Sequence, residues 1–339
     1  MKENGKPRPL ATGVVKEVLA LFDHHLQLKI PEERTEDEER VIITRYIPVG
    51  VVAAICPWNF PIVLSVGKML PALLAGCCII VKPSPFTPYT ALKVVELAQQ
   101  IFPPGVVQVL AGDDSIGPAL VNDSRVHKIS FTGSIATGKK IMASATGNLK
   151  RVTLELLVPA IFFLMPFFLF LYLSSQFTNV YDHRGGNDPS IILPDVDIAK
   201  VAPEVAIGCF AFTGQVCVAT KRIYIHESIY EPFLKALVEA TTKMTVGNAS
   251  GKDTVLGPLQ NKMQYNRVQE LIDDSSSRGY RFALGPRPAE ASKGYLMYPC
   301  IVDNPPEDSM IVVEEQFGNE FKHKILSNRW EPLLTFSVV

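Results

Sequence analysis

Two patterns of apolar residues alternate along most of this chain. Short, continuous apolar runs alternate with longer segments in which apolar residues recur at helical spacing, and one cycle takes roughly 20–30 residues. The predicted strands are Tyr46–Cys56, Cys77–Val81, Val106–Leu110, Lys128–Phe131, Arg151–Leu156, Ser190–Leu193 and Arg222–Ile225. The predicted helices are Val14–Leu28, Ile62–Ala75, Tyr89–Ile101, Ile116–Asn122, a segment from Ser134 to Ala143, Ala199–Phe210, Ser228–Lys243 and Gln260–Ser276. This alternation predicts βαβ units, and therefore an α/β protein with a doubly wound parallel sheet.

Two segments fit neither pattern. Pro31–Arg40 mixes acidic and basic residues, which favours a solvated loop or the start of a helix. Asn319–Val339 shows no clean periodicity. The fold prediction therefore rests on the residues between these segments.

One apolar run interrupts the alternation. Residues 156–173 are 18 consecutive residues without a strongly polar side chain. The run has the length of a transmembrane helix, although Pro159 and Pro166 weaken that interpretation. The segments on both sides have the pattern of a soluble core, so a membrane location is expected only if this run is a real span.

Composition narrows the class of protein. A chain of 339 residues can hold two domains, and its formal net charge of −1 argues against a nucleic-acid binder. The six cysteines form neither a CxxC pair nor a metal-ligand spacing, so we expect reduced thiols, no metal site and a cytoplasmic location. The polar start, Met1–Lys6, has no apolar run behind it, and we expect no signal peptide.

Three turns fall at the carboxyl ends of predicted strands. They are Pro57-Trp58-Asn59-Phe60-Pro61, Lys82-Pro83-Ser84 and Gly133-Ser134. Ligands of doubly wound sheets bind at these ends. Each turn also has an ordinary interpretation: a rigid turn with buried aromatic rings, a solvated lysine and a helix N-cap, respectively.

The stretch around Cys217 carries the strongest chemical signal. An apolar, helix-compatible run ends in Thr213-Gly214-Gln215, where glycine permits a sharp turn and glutamine can fasten it. A cysteine just past such a turn can lie exposed at a helix start, where the thiolate is favoured. Cys217 is therefore a candidate nucleophile; the alternative is a small buried apolar residue. Glu155, flanked by leucines on a predicted strand, is a candidate base or a paired structural carboxylate.

Five motifs in this order resemble the aldehyde dehydrogenase superfamily, most closely its NAD(P)-dependent general aldehyde dehydrogenases. Besides the three turns they are Leu154-Glu155-Leu156 and Gly214-Gln215-Val216-Cys217. Gly185-Gly186-Asn187-Asp188-Pro189 and Glu314-Glu315-Gln316-Phe317-Gly318 add to the resemblance, which covers residues 1–156 and 185–318. It implies a Rossmann-like, doubly wound cofactor domain and an α/β catalytic domain.

The resemblance also implies roles for single residues. Cys217 would be the nucleophile, Asn59 would donate to the oxyanion together with the Cys217 amide, and Glu155 would activate the hydrolytic water. Lys82 would bind the adenosine ribose, Glu315 the nicotinamide ribose, and Phe317 would lie beside the ring. The expected cofactor-binding residues are Trp58, Lys82, Ser84, Gly133, Ser134, Gly138, Glu315 and Phe317. The expected cofactor is NAD, with NADP as the alternative because Pro85 stands where many NAD-specific members have glutamate.

The chain departs from the family pattern in three ways. Residues 157–184 separate Glu155 from glycines that follow it directly in the family, and we interpret them as a translated non-coding segment or a gene-model error rather than an anchor. Both ends are shorter than in the family, whose members are homo-oligomers, and the oligomerisation segment is largely missing. Phe212 occupies a position that is often asparagine.

The resulting division is a cofactor domain at 1–156, an apolar insertion at 157–184, an incomplete catalytic domain at 185–318 and an unmatched tail at 319–339. The predicted reaction is oxidation of a small-molecule aldehyde to a carboxylic acid. The alternatives are a catalytically inactive fragment and a membrane-anchored dehydrogenase held by residues 156–173.

Overall fold

The computed structural model describes residues 1–157, 182–185, 187–287, 294–318 and 320–326. The apolar run at 156–173, apart from its first two residues, and most of the insertion at 157–184 lie outside these ranges. Within the described ranges no helix is long and apolar enough to cross a membrane.

Thirteen strands and nine α-helices are assigned in the described residues. The strands are β1 Glu33–Glu36, β2 Val41–Thr44, β3 Val51–Ile55, β4 Cys78–Lys82, β5 Val107–Val109, β6 Lys128–Gly133, β7 Arg151–Leu157, β8 Asp182–Gly185, β9 Asp188–Ile192, β10 Thr220–His226, β11 Arg281–Leu284, β12 Cys300–Asp303 and β13 Glu320–Leu326. The helices are α1 Arg8–Gln27, α2 Pro61–Leu74, α3 Pro88–Gln99, α4 Ile116–Asn122, α5 Ile135–Ala145, α6 Ile198–Phe210, α7 Tyr230–Thr242, α8 Lys262–Ser277 and α9 Met310–Val313.

The first sheet has six parallel strands in the order β5-β4-β3-β6-β7-β8. Successive side chains of a strand point to opposite faces, and β3 uses both. Val52 and Ala54 pack with α1, α2 and α3 on one face, whereas Ala53 and Ile55 pack with α4 and α5 on the other. Helices thus cover both faces, which confirms the predicted α/β, Rossmann-like, doubly wound sheet.

The strand order of this sheet reverses beside β3. The chain runs outward through β4 and β5, then returns to place β6 on the other side of β3. A crevice forms at such a reversal, at the carboxyl ends of the strands. The turn that begins at Pro57 follows β3, and Gly133 ends β6. The fold therefore brings these two predicted turns to the same edge.

The second sheet has the order β11-β12-β13-β10-β9, with only β11 antiparallel to its neighbour. Its core is formed where β10 packs against α6 and α7, with Ile223, Ile225 and Phe233 almost fully buried. The central strand β13 lies in the segment where the sequence pattern shows no periodicity. Its register with β12 and β10 is regular, so neighbouring strands rather than local pattern define it.

The interpretation of Pro31–Arg40 as a loop or helix start is wrong. β1 pairs with β2 in an antiparallel hairpin, with Glu33 opposite Thr44 and Glu36 opposite Val41. The physical reason is local turn chemistry. Asp37 accepts hydrogen bonds from the backbone N–H groups of Glu39 and Arg40, each at 2.9 Å, and this reverses the chain.

The residues after the apolar run join the first sheet. β8 lies parallel to β7, with Glu155 opposite His183 and Leu157 opposite Gly185. β7, which precedes the apolar run, therefore lies between β6 and β8, and β8 follows that run in sequence.

Candidate active site

The loop that carries Cys217 is a strained turn. α6 ends at Phe210, and the next residues include three in succession with positive φ: Phe212 at 52°, Thr213 at 57° and Gly214 at 69°. Two of the three carry side chains, which disfavour this conformation. A Cβ added at Gly214 would lie 2.0 Å from the carbonyl oxygen of Gly318. Glycine is thus required by both conformation and close approach, as the sequence predicts for this turn.

Gln215 fastens the turn from both sides. Its Nε2 donates to the Phe212 carbonyl oxygen at 3.1 Å, and its Oε1 accepts from the backbone N–H of Gln260 at 2.9 Å. Thr213 adds a hydrogen bond from Oγ1 to the carbonyl oxygen of Gly257 at 2.7 Å. The predicted fastening role of glutamine is confirmed.

Cys217 itself lies in a turn just before β10, not at a helix start, so that expectation is wrong. The residue is half-buried, and burial is the main cause that raises the pKa of its thiol to about 12. Three carboxylates add to this rise: Glu155, Glu315 and Asp188. The backbone N–H of Cys217 acts in the opposite direction by hydrogen bonding to its own sulfur. The predicted stabilisation of the thiolate is therefore absent, because burial, and after it the repulsion by these carboxylates, disfavours the charged sulfur.

Asn59 meets this loop from the turn that follows β3 of the first sheet. It lies in the turn between β3 and α2, is 3 % exposed, and its Nδ2 donates to the Gln215 carbonyl oxygen at 3.3 Å. An amide nitrogen carries two protons, so the second remains for another acceptor. The Asn59 carbonyl oxygen accepts from Asn4 Nδ2 at 3.0 Å and from Lys6 Nζ. The fold thus brings together Asn59 and the Cys217 loop, which lie far apart in sequence.

Glu155 is held by two side chains that sequence reasoning missed. Lys68 Nζ donates to Glu155 Oε1 at 3.0 Å, and Thr132 Oγ1 donates to Glu155 Oε2 at 2.6 Å. The Lys68 side chain is 4 % exposed, whereas that of Glu155 is 39 % exposed. The alternative of a paired carboxylate is therefore correct about the pairing. The exposure leaves the carboxylate accessible, so the pairing is compatible with a role as base.

The signal that could have revealed Lys68 lies on α2. This lysine lies in a mostly apolar helix, many of whose side chains are buried. A buried lysine requires a partner for its charge. Asp188 is likewise a charged residue that is buried, and it belongs to the motif Gly185-Gly186-Asn187-Asp188-Pro189. It is 1 % exposed, and its backbone N–H donates to the Ala219 carbonyl oxygen at 3.4 Å.

The predicted cofactor residues after β4 are both buried. Lys82 is 5 % exposed and ends the strand, so its interpretation as a solvated cation is wrong. Ser84 is 7 % exposed, and its Oγ accepts from the backbone N–H of Phe86 at 3.3 Å.

The predicted turn after β6 begins α5. Ser134 is the N-cap, with Oγ accepting from the backbone N–H of Thr137 at 3.3 Å, as in the ordinary interpretation of this pair. A Cβ on Gly133 would lie 2.6 Å from the ring of Phe131, and one on Gly138 would lie 2.5 Å from Leu156. Gly138 therefore permits close packing of α5 on β7, whereas Gly133 leaves room for the Phe131 ring of its own strand.

The Glu315 segment, which lies between α9 and β13 of the second sheet, approaches the same edge. The rings of Phe317 and Trp58 meet edge to face, with centroids 5.4 Å apart. Burial is the main cause that raises the pKa of Glu315 to about 8; Asp188 adds to the rise and Lys221 opposes it. Within the described residues, Glu315 Oε1 is buried without a hydrogen-bond partner. This oxygen is suited to accept a hydrogen bond from a hydroxyl group of a ligand.

The described residues contain no cluster of three or more His, Cys, Asp or Glu side chains that could hold a metal ion. All six cysteines are reduced thiols.

Comparison with known proteins gives consistent similarities. The model of the aldehyde dehydrogenase family matches residues 1–163 and 172–319. Aldehyde dehydrogenase LUC3 of a Fusarium species is 43 % identical over 291 residues, which are 86 % of this chain and 55 % of LUC3. The mitochondrial succinate-semialdehyde dehydrogenase of Oryza sativa subsp. japonica is 37 % identical over 287 residues, 84 % of this chain and 49 % of that protein.

Solved structures are similar as well. The NAD⁺ complex of an aldehyde dehydrogenase from Bacillus cereus superimposes with a TM-score of 0.85 at 32 % identity, covering 97 % of this chain and 62 % of that one. The chain thus spans about half the length of the curated relatives it matches.

Proposed function

The chain belongs to the aldehyde dehydrogenase family, and on that premise we propose that it oxidises an aldehyde to a carboxylic acid with NAD(P)⁺ through a Cys217 thioester. The observation that carries the proposal is the convergence on the Cys217 loop. Asn59 hydrogen bonds to this loop, and the Glu155 carboxylate is the strongest charge acting on the Cys217 thiol. A nucleophile, an oxyanion donor and a base thus occur together.

The first step requires a thiolate. The pKa of the Cys217 thiol is raised, mainly by burial, so its proton must pass to a water molecule when the sulfur attacks. The sulfur then bonds to the aldehyde carbon, and negative charge develops on the aldehyde oxygen. The second proton of Asn59 Nδ2 and the Cys217 backbone N–H stabilise that charge, which gives a thiohemiacetal.

The residues of the crevice fit a nicotinamide dinucleotide. The buried, unpartnered Glu315 Oε1 suits a ribose hydroxyl, and the free N–H groups at the start of α5, beyond the one that Ser134 caps, suit a pyrophosphate. Trp58, Lys82, Ser84, Gly133, Ser134, Gly138, Glu315 and Phe317 would hold it. When bound, NAD(P)⁺ accepts the hydride that leaves the thiohemiacetal carbon, and the product on Cys217 is a thioester. NAD is our choice, with NADP as the alternative.

The second step returns Cys217 to its starting state. Glu155 accepts a proton from water, the water oxygen bonds to the thioester carbon, and the carbon–sulfur bond breaks to release the acid. The departing sulfur takes the proton from Glu155, which restores both the thiol and the carboxylate. Lys68 and Thr132 each occupy one carboxylate oxygen of Glu155. A carboxylate has about four acceptor sites, so both oxygens keep capacity for water.

The alternative is a chain that keeps the fold without turnover. The raised pKa of Cys217 favours it, because a buried thiol near carboxylates forms little thiolate and is a poor nucleophile. We place the enzyme in the cytoplasm, and the six reduced thiols support that proposal.

The test is NAD(P)-dependent oxidation of a panel of aldehydes by the full chain, the Cys217→Ala variant and the Cys78→Ala variant. Cys78 is an exposed thiol outside the site and serves as the matched control. We expect Cys217→Ala to lower kcat/KM by about 10³-fold or more and Cys78→Ala to leave it unchanged. Oxidation that survives Cys217→Ala would contradict the nucleophile assignment, and a wild-type chain without turnover on any aldehyde would support the inactive alternative.

A further inference from the structure

The first residues of the chain are fixed to both domains. The Glu3 carboxylate accepts hydrogen bonds from the backbone N–H and, at 2.6 Å, from the hydroxyl of Thr90 at the start of α3. On the other domain, Gln260 Nε2 donates to the Glu3 carbonyl oxygen at 3.4 Å. Gly5 has φ of +76°, and a Cβ there would lie 2.9 Å from the ring of Pro258. The N-terminal segment, Met1–Pro7, is therefore packed between the domains at the catalytic turns.

Lys6 is the buried cation of this segment. It is 3 % exposed, and its Nζ donates to the Asn59 carbonyl oxygen. The same nitrogen lies 3.9 Å from the ring centroid of Phe60 and 3.5 Å from that of Phe212. The two rings meet edge to face at 5.8 Å. One ammonium group thus joins the Asn59 turn of the first domain to the Cys217 loop of the second by cation–π contacts.

The contact between Lys6 and Phe212 helps to hold the Cys217 loop in its strained conformation. Phe212 has positive φ although it carries a bulky side chain, a conformation that persists only when its surroundings determine it. The ring is 1 % exposed and is held between Lys6 and Phe60. Phe212 is also the residue that the sequence singles out in a position often taken by asparagine. The structure gives its aromatic ring a use that asparagine does not have.

Some of the surroundings of Lys6 lower the pKa of its ammonium group and others raise it. Burial lowers the pKa of Lys6 well below its usual value, and the Glu17 carboxylate opposes that shift. The Asn59 carbonyl oxygen and the two ring faces present negative potential to the ammonium group. These contacts favour the charged form and act against burial, which is the larger effect on the pKa of Lys6.

We propose that Lys6, together with the ring of Phe212, is a positioning residue for the oxidation reaction: it fixes the Asn59 backbone so that the Asn59 side-chain amide faces the Cys217 loop. The inference rests on the proposed function. Lys6 acts through Asn59 and touches no reacting atom in this account. Its loss should therefore lower the rate of the chemical step more than the affinity for the cofactor.

The first test is a double-mutant cycle on the full chain. Lys6→Met removes the donor and the charge at similar volume, and Lys16→Met on the exposed face of α1 is the matched control. We expect Lys6→Met to lower kcat about 10- to 100-fold with little change in KM for NAD⁺, because small misplacement of a catalytic group has effects of this size. In an Asn59→Ala background the same change should cost less than about 3-fold, since the two residues act as one unit.

A second variant tests the ring. Phe212→Leu keeps an apolar side chain but removes the ring face, and we expect a loss of kcat of about 3- to 10-fold that is not additive with Lys6→Met. Equal losses from Lys6→Met in both backgrounds would show general destabilisation and overturn the proposal, as would a fall confined to KM.

Hydrogen–deuterium exchange separates this proposal from the proposed function. We expect Lys6→Met to speed exchange of peptides covering residues 57–65 and 211–216, and Lys16→Met to leave both unchanged. Faster exchange in a chain without turnover would support the contact and contradict the function. Unchanged exchange in both peptides would overturn the positioning role, whatever the activity.

Discussion

The close approach of Gly214 to Gly318 predicts a large and local effect of one methyl group. A Gly214→Ala variant would place its Cβ 2.0 Å from the Gly318 carbonyl oxygen and 2.3 Å from Lys221 Nζ. Contacts shorter than 3.0 Å do not persist, so the Gly318 backbone must move by about 1 Å. Gly318 directly follows Phe317 and lies three residues after Glu315, and the movement should therefore disturb the crevice as well as the fold.

Gly279 supplies a control with the same backbone conformation. Its φ is also +69°, and no atom of the described residues lies within 4 Å of an added Cβ. Gly279→Ala should cost the conformational penalty alone, about 1–2 kcal/mol. Gly214→Ala should cost this penalty plus the overlap, which for overpacking is typically about 1–3 kcal/mol. The difference between the two variants isolates the contact between the Cys217 loop and the Glu315 segment.

The assay is urea unfolding of both variants and the wild type, followed by NAD⁺ binding. We expect Gly214→Ala to be the less stable variant by about 1–3 kcal/mol and to bind NAD⁺ more weakly, whereas Gly279→Ala binds it normally. Equal losses of stability, or normal NAD⁺ binding by Gly214→Ala, would refute the close contact.

Three further predictions concern charge, capping and packing. Burial raises the pKa of Glu315 from 4.5 to about 8, so the folded state holds this proton more tightly than the unfolded state does. The free energy of unfolding should therefore fall as pH rises from about 4.5 to 8, by about 5 kcal/mol at most. Urea unfolding at pH 5 and pH 8 should show that Glu315→Gln removes this fall, and an unchanged pH dependence would contradict the burial of the carboxylate. Ser134→Ala should cost about 1 kcal/mol in thermal unfolding and Ser134→Gly only a few tenths, whereas equal costs would exclude the cap. Phe233→Ala should cost about 3–5 kcal/mol because the ring is fully buried, and a loss below about 1 kcal/mol would contradict the packing of α7 on the second sheet.

Periodicity predicted the alternating part of the fold well. Strands such as β3 and β4 are buried on both faces and read as continuous apolar runs, and helices such as α6 have apolar residues at helical spacing. β13 was not predicted, because Lys322, His323 and Lys324 interrupt any apolar run and the strand is specified by pairing with β12 and β10. The β1–β2 hairpin was missed for a related reason: both strands are exposed, so neither shows the alternation of a half-buried strand.

The sequence predicted which residues form the site better than it predicted the charges that act on them. Motif order indicated Asn59, Glu155 and Cys217, and the structure brings the side chain of Asn59 to the carbonyl oxygen of Gln215. The pKa of Cys217 depends first on burial and then on carboxylates from three distant parts of the chain, and local sequence reveals neither. Lys6 was missed because a lysine is normally interpreted as a surface residue until its partners are known, whereas the mostly apolar pattern of α2 could have revealed Lys68.

Detection of the thioester on Cys217 is the most direct test that this cysteine is the nucleophile. In a Glu155→Gln variant mixed with NAD⁺ and an aldehyde, hydrolysis of the thioester should be blocked more than its formation. We expect a burst of NADH equivalent to the chain concentration and an acyl adduct on Cys217 in the tryptic peptide spanning residues 201–221. NADH without an adduct on this peptide, or an adduct on another cysteine, would contradict the account.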